Sequence, residues 1–363
     1  MGHSSVVVRA SVAALVAISV GACAATPTSP SFHEAAPTAS ASVPATSSTD
    51  VVTHFDLPSK SSVIGSPPAS TSAAPSSSAS IPAGPQIGSR IQVGEPAAPR
   101  WFAADGRSLW VHEPVSLVRV DLATSAVTGR FPMDWMEYGY LTTGAGAIWQ
   151  SDYEHDALLR IDPVTGKVIA SIPVGLQPLG VVVTAGSVWV ADEHSEAVTR
   201  VDPKTNRVVA TISIGQPGPA GPQIMTAGPG GVWVDVDNMD EVVRIDAATN
   251  SVGLRVPLDG AVASDGKEVW IAGPNGRSEV VRIDPVSGKV ITTVDLDTVP
   301  GDLAVGLGSV WVIADGMTQI DEATGRIIGR VDIGDDGGDV VVAGGAVWVT
   351  ADGQPYVVRI SPT

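Results

Sequence analysis

Ser187-Val188-Trp189-Val190-Ala191-Asp192 leads to Arg200-Val201-Asp202-Pro203-Lys204-Thr205-Asn206 and then to Val208-Val209-Ala210-Thr211-Ile212-Ser213-Ile214-Gly215. Together with VVVTAG just ahead of it, this stretch holds four short runs rich in Val and Ile, separated by Gly, Pro, Asn and Asp. Such runs predict four antiparallel strands. The same phrase returns along the chain. Trp110, Trp149, Trp189, Trp233, Trp270, Trp311 and Trp348 lie 39, 40, 44, 37, 41 and 37 residues apart. About ten residues after each tryptophan comes a second marker, LLRIDPVTGK or VVRIDPVSGK in its fullest form.

A period near 40 with four strands per unit is the signature of propeller blades, and a helical solenoid would show apolar spacings of three and four. The ends settle the count. The last unit stops after its third strand, and a spare fourth strand, Ser89-Arg90-Ile91-Gln92-Val93-Gly94, precedes the first unit. The sequence therefore predicts an all-β, seven-bladed β-propeller with four antiparallel strands per blade. Ile91–Val93 would pair with Val357–Ile360 to complete the seventh blade, leaving no open edge. The repeats resemble the β-propeller families with YVTN-type repeats, a resemblance that covers residues 89–363 and carries the strings SVWVADEH, RVDPKTN and VVATISIG.

Upstream of the repeats the chain changes character. Arg9 supplies a short positive region, and Ala10–Val20 is an apolar stretch too short to span a bilayer, the pattern of a secretory signal. It ends in Val20-Gly21-Ala22-Cys23, which resembles the bacterial lipoprotein lipobox, so residues 1–22 are expected to be removed. Cys23 is the single cysteine, which excludes an intramolecular disulfide. The lipobox resemblance implies acylation of Cys23, and more than one acyl chain is what stable anchoring needs. Residues 23–88 then form a lipidated Ala/Ser/Thr/Pro-rich tether with too little apolar side chain to fold. As a flexible coil it would reach roughly 40–50 Å. The expected location is the extracytoplasmic face of the cell membrane.

A net charge of -17 speaks against nucleic acid, which needs a basic footprint. Residues 88–363 hold 19 basic against 35 acidic residues. Asp121, Asp162, Asp202, Asp246, Asp284 and Asp321 are too regularly spaced to converge on one ligand, and their D-x-x-[ST]-[GNS] context is that of a hairpin cap. The repeated tryptophans and Arg160, Arg200, Arg244 and Arg282 are likewise framework.

Function is sought where the blades differ. Trp101 and Trp135 are the two tryptophans outside the repeat, and Trp135 lies in an aromatic segment with Glu137, Tyr138 and Tyr140. Acidic loops contribute Asp192 together with His155 and His194. At the channel mouth the innermost strands are expected to start at Arg100 or Trp101, Tyr140, Gly180, Gln223, Gly260, Asp302 and Asp339. The ligand-binding candidates are therefore Trp101, Trp135, Glu137, Tyr138, Tyr140, His155, Asp192, His194, Asp302 and Asp339, forming an aromatic and acidic mouth over blades one to four. Such a mouth suits a cationic or polyhydroxylated ligand. His155 and His194 have the chemistry of metal ligands but no tight ligand spacing, so no metal or other cofactor is assigned.

The chain also resembles the streptogramin (virginiamycin B) lyase group in blade length and tryptophan position. That resemblance implies a catalytic His and Glu near the channel, yet FAADG, LTTGAG, VVVTAG, AVASDG, LAVGLG and VVVAGG lack His, and no catalytic residue carries over. Sugar lactonases have six blades and a Glu/Asn/Asp metal site, so the blade count does not fit. No G-x-S-x-G elbow or phosphate loop occurs. The reading favoured is a binding module for an envelope ligand or protein, with a lyase or hydrolase as the alternative. Cys23→Ser is expected to move the protein from the membrane to the soluble fraction and to abolish acyl labelling, as cell fractionation would show.

Overall fold

A computed structural model describes residues 84–94, 101–133, 139–215, 221–334, 337–351 and 354–362. Cys23, the signal and nearly all of the tether lie outside the described residues, as do Trp135, Glu137 and Tyr138. The described chain forms seven four-stranded antiparallel sheets. Six are simple meanders: blade 1 runs from Trp101 to Pro132, blade 2 from Leu141 to Pro173 and blade 3 from Pro178 to Ser213. Blade 4 runs from Pro222 to Val256, blade 5 from Ala261 to Asp295 and blade 6 from Leu303 to Val331. Blade 7 combines Gly337–Ala343, Ala346–Ala351 and Tyr356–Ser361 with the N-terminal strand Gln86–Gln92. The helical pieces among the described residues are three-residue turns.

The closing strand pairs as the repeat requires, with Ile91 opposite Val357 and Gln92 opposite Tyr356. It also extends three residues further than the repeat pattern shows, to Gln86 opposite Ser361, so residues 86–88 belong to the sheet rather than to the tether. An irregularity between Ile87 and Ser89 absorbs one residue. Without it the side-chain alternation would invert; with it Ile91 turns inward. Ile91 and Val93 join Phe102, Leu109, Trp348 and Val357 in one apolar core, so the seam between the last blade and the first packs like the others.

The seven repeat tryptophans are all fully buried, at 1% exposure or less. Burying an indole leaves an N–H to satisfy. In blades 2, 3, 6 and 7 it donates to a carbonyl five residues back, as from Trp149 to Gly144 at 3.0 Å. In blades 2 to 5 the arginine opposite the tryptophan stacks on it and reaches the neighbouring blade. The Arg200 guanidinium lies 4.8 Å from the Trp189 ring centre and donates to the Ala247 carbonyl and the Asn250 side chain of blade 4. Arg160, Arg244 and Arg282 do the same across their own seams. The receiving hairpins are capped by the repeated aspartates. Asp202, for example, accepts from the Lys204 backbone N–H and the Thr205 hydroxyl, and these bonds hold its carboxyl below the usual range.

Blade 6 carries Gln319 where the others carry Arg, and that glutamine bonds to Ser309 instead. The reason is topological. In blade 7 the hairpin that would receive an arginine is replaced by the chain's two ends. The incoming segment spans that gap: Pro85 is buried against Gly329 of blade 6, and Arg90 donates to the Ile333 carbonyl. A Cβ on Gly329 would sit 2.2 Å from the Pro85 ring. Gly329→Ala is therefore expected to cost about 1–3 kcal/mol through overpacking. Gly106→Ala, where a Cβ meets nothing within 4 Å, should cost far less in the same thermal denaturation.

Candidate functional site

The innermost strands of all seven blades enclose a channel of about 1020 Å³. Each of these strands runs inward from the mouth, so the residue at or beside its leading end meets a ligand arriving there. In blades 1 and 2 these are Trp101 and Tyr140, whose ring centres lie 5.8 Å apart. Trp101 also packs on His112, the residue it pairs with on the next strand, at 6.0 Å. In blades 6 and 7 the corresponding residues are Asp302 and Asp339. Blade 7 adjoins blade 1 through the closing seam, so the four side chains form one continuous arc, with an acidic half and an aromatic half.

The two carboxyls are held by main-chain donors from the next blade. Asp302 accepts from the Val340 N–H and Asp339 from the Phe102 N–H, each at 3.1 Å. They also hydrogen-bond to each other, which requires a proton between them. Channel solvent reaches both, but protein walls surround them. Burial and the charge of Asp302 push Asp339 well above the usual carboxylate range, and burial raises Asp302 as well. The same burial and the two nearby carboxyls raise the Tyr140 phenol, which stays neutral.

Gly180 lines the channel as the strand starts predict, but blades 4 and 5 depart from that register. Gln223 turns away to donate to Glu193 at 3.1 Å, and Ile224 takes its place in the wall. Gly260 donates to Asp235 instead, and Val262 faces the channel.

The acidic loops of blades 1 to 4 are a second departure. They lie outward of the channel, and their carboxylates fold back onto nearby donors. Asp192 is fully buried, accepting from the Thr199 hydroxyl at 2.5 Å and the Gly175 N–H at 3.1 Å. Burial pushes it up to about 7. His155 is exposed beside Asp152, at 2.9 Å. His194 stands 3.5 Å from Glu193 and lines a separate depression of about 610 Å³ with Tyr153, Glu154, Asp156, Leu176 and Gln177. The structure thus brings Trp101, Tyr140, Asp302 and Asp339 together and leaves Asp192, His155 and His194 apart from them. Among the described residues no group of three or more His, Cys, Asp or Glu side chains could hold a metal ion.

His112 is a buried neighbour of the mouth that sequence reasoning passed over. It lies on a second strand, two residues before an ordinary-looking turn, and its pairing with Trp101 buries it behind that ring rather than in the channel wall. Its signal was faint: most blades carry a small or apolar residue at that place, as in Ala191, Ala272 and Ile313.

No protein-family profile matches the chain, and no functionally curated protein matches it in sequence. Solved structures do share its fold. Virginiamycin B lyase from Staphylococcus aureus aligns with a TM-score of 0.63 at 14% identity, over 76% of this chain and 99% of its own. A streptogramin B lyase aligns at 0.62 and 14%, over 76% and 97%. Hydrazine synthase from Kuenenia stuttgartiensis aligns at 0.63 and 17%, over 75% and 97%. The resemblance to the lyase-like propellers therefore holds at the level of architecture.

The buried Asp192 carries a pH signature. Its folded pKa of about 7 lies above the ordinary 3.8, so its contribution to stability is present at low pH and is lost as pH rises from about 4 to about 7. Asp192→Asn keeps an acceptor for Gly175 and a partner for Thr199. Its stability relative to the parent should rise by about 2–4 kcal/mol between pH 4.5 and 7.5. Denaturant titrations across that range provide the check.

Proposed function

We propose that this chain is a lipid-anchored, extracytoplasmic propeller that binds an envelope ligand or protein through its channel mouth. The observation that carries the reading is the arc Asp302–Asp339–Trp101–Tyr140. It combines charge, hydrogen-bond acceptors and flat apolar surface at the open end of a channel large enough for a small ligand. The position of the N-terminal strand is compatible with tethering. Gln92 pairs with Tyr356 at the mouth end of blade 7, whereas Gln86 pairs with Ser361 at the opposite end. Residue 84, just before that strand, therefore lies on the side of blade 7 away from the mouth. The membrane contact in this reading is made by the lipid on Cys23, and no nucleic acid is involved.

A lyase or hydrolase is the second reading, favoured by the fold shared with the streptogramin lyases and by His112 beside Trp101. The binding reading is preferred because His112 is buried against Trp101, and no histidine lines the channel among the described residues. A histidine base would need an imidazole able to reach a substrate.

The test is capture from solubilised envelope fractions by the full-length protein and its variants. Trp101→Ala and Asp339→Asn are each expected to lower capture at least about tenfold, the loss of one aromatic or charged anchor. Trp101→Phe, which keeps a ring, should retain most of it. Equal capture by all four proteins would dismiss the mouth as the binding site.

A further inference from the structure

The channel lining is electrically one-sided. Among the described residues that line it, Asp302 and Asp339 are the charged side chains, and no Lys, Arg or His accompanies them. Two carboxyls held in a protein-walled channel without a counter-cation are costly. Stitching the blades together does not require them. At the seam between blades 2 and 3 a neutral hydroxyl makes the link, Ser151 donating to the Leu179 carbonyl at 2.6 Å. Blade 3 has Gly180 at the corresponding place and carries no charge there at all. The acid pair is therefore more than a structural link.

Just inside the mouth the wall turns apolar, with Val182, Ile224, Met225, Val262, Leu303 and Val341 around it. Thr143, Thr226 and Ser264 follow towards the far end. An innermost strand of four residues gives the channel wall, of which the apolar belt is part, a depth of roughly 13 Å. Flat rings at the rim, two carboxyls beside them and an apolar shaft below form the complement of a molecule with a cationic head and a slender apolar body.

We infer that the channel receives an amphiphilic amine, its ammonium seated between Asp302, Asp339 and the rings of Trp101 and Tyr140, its apolar part running down the shaft. This rests on the reading of the mouth as a ligand site and specifies what that site takes. An ammonium offers N–H donors to both carboxylates and a positive face to the aromatic rings. Seating it makes the second carboxylate worth ionising, so the proton shared by Asp302 and Asp339 leaves for the solvent as the amine enters. Proton and charge then balance: one positive charge arrives and one departs.

Calorimetric titration of the full-length protein with hexylamine, hexanol, hexanoate and calcium, at pH 6 in two buffers of different ionisation heat, tests this. Hexylamine is expected to bind at least about tenfold more tightly than hexanol, hexanoate more weakly than either, and each bound amine should release up to one proton. Asp302→Asn and Asp339→Asn keep the acceptors for Val340 and Phe102. Each should cut the preference for amine over alcohol at least tenfold and suppress proton release, while hexanol binding persists as the sign of an intact shaft. Hexanol binding as tightly as hexylamine, no hexylamine binding, an undiminished preference in both variants, or calcium displacing the amine stoichiometrically would each overturn the inference. If hexylamine fails while Trp101-dependent capture stands, the mouth serves another ligand chemistry. If both fail, the mouth is not a ligand site.

Discussion

Pairing of Gln86–Gln92 with Tyr356–Ser361 turns seven separate sheets into a ring, and the rest of the molecule depends on it. A blade buries one face against each neighbour, so an unclosed row would leave two faces and one strand edge in water. The closing strand supplies the missing edge of blade 7, and through Ile91 and Val93 it supplies apolar contact to the core shared with blade 1. A one-residue slip there would turn that contact outward, which explains the irregularity between Ile87 and Ser89. The seam is also where the arginine clamp is interrupted. Pro85 on Gly329 and Arg90 on the Ile333 carbonyl bridge from the incoming strand to blade 6.

The same closure creates the acidic–aromatic arc. Asp339 belongs to the last blade and Trp101 to the first, 238 residues apart in sequence, yet Asp339 accepts a hydrogen bond from Phe102, the residue after Trp101. Asp302 binds blade 7 in the same way. The acids thus have two duties, linking blades 6, 7 and 1 and presenting charge to the channel. Those duties conflict energetically, since buried like charges repel, and sharing a proton reduces the conflict. A site that stores such tension at the junction of the chain's two ends is sensitive to whether the ring is closed.

Other buried carboxyls are tied into the framework. Asp192, Asp235 and Asp259 accept backbone N–H groups, and Glu113 meets Ser116 and Arg130. Acidic loops over blades 1 to 4 looked like a mouth because sequence records charge but not direction. A carboxylate two or three residues from a tight turn finds backbone donors before it finds a ligand.

Blade number, strand order, the closing strand and the structural nature of the repeated Trp, Arg and Asp residues were legible in the sequence, because repetition itself reveals them. Seven copies of one phrase average out local accident, and whatever recurs at every blade must serve every blade. Trp101, Tyr140, Asp302 and Asp339 could be singled out as strand starts for the same reason. Which of the candidates meet was decided by tertiary structure alone. The arc runs through blades 6, 7, 1 and 2 because ring closure makes the last blade the neighbour of the first. Asp192, His155 and His194 turn to local partners because the outer loops lie away from the axis, and His112 is buried behind Trp101 through cross-strand pairing. Periodicity along a chain records what each blade needs, whereas the convergence of unlike residues at the axis exists only once the ring has formed.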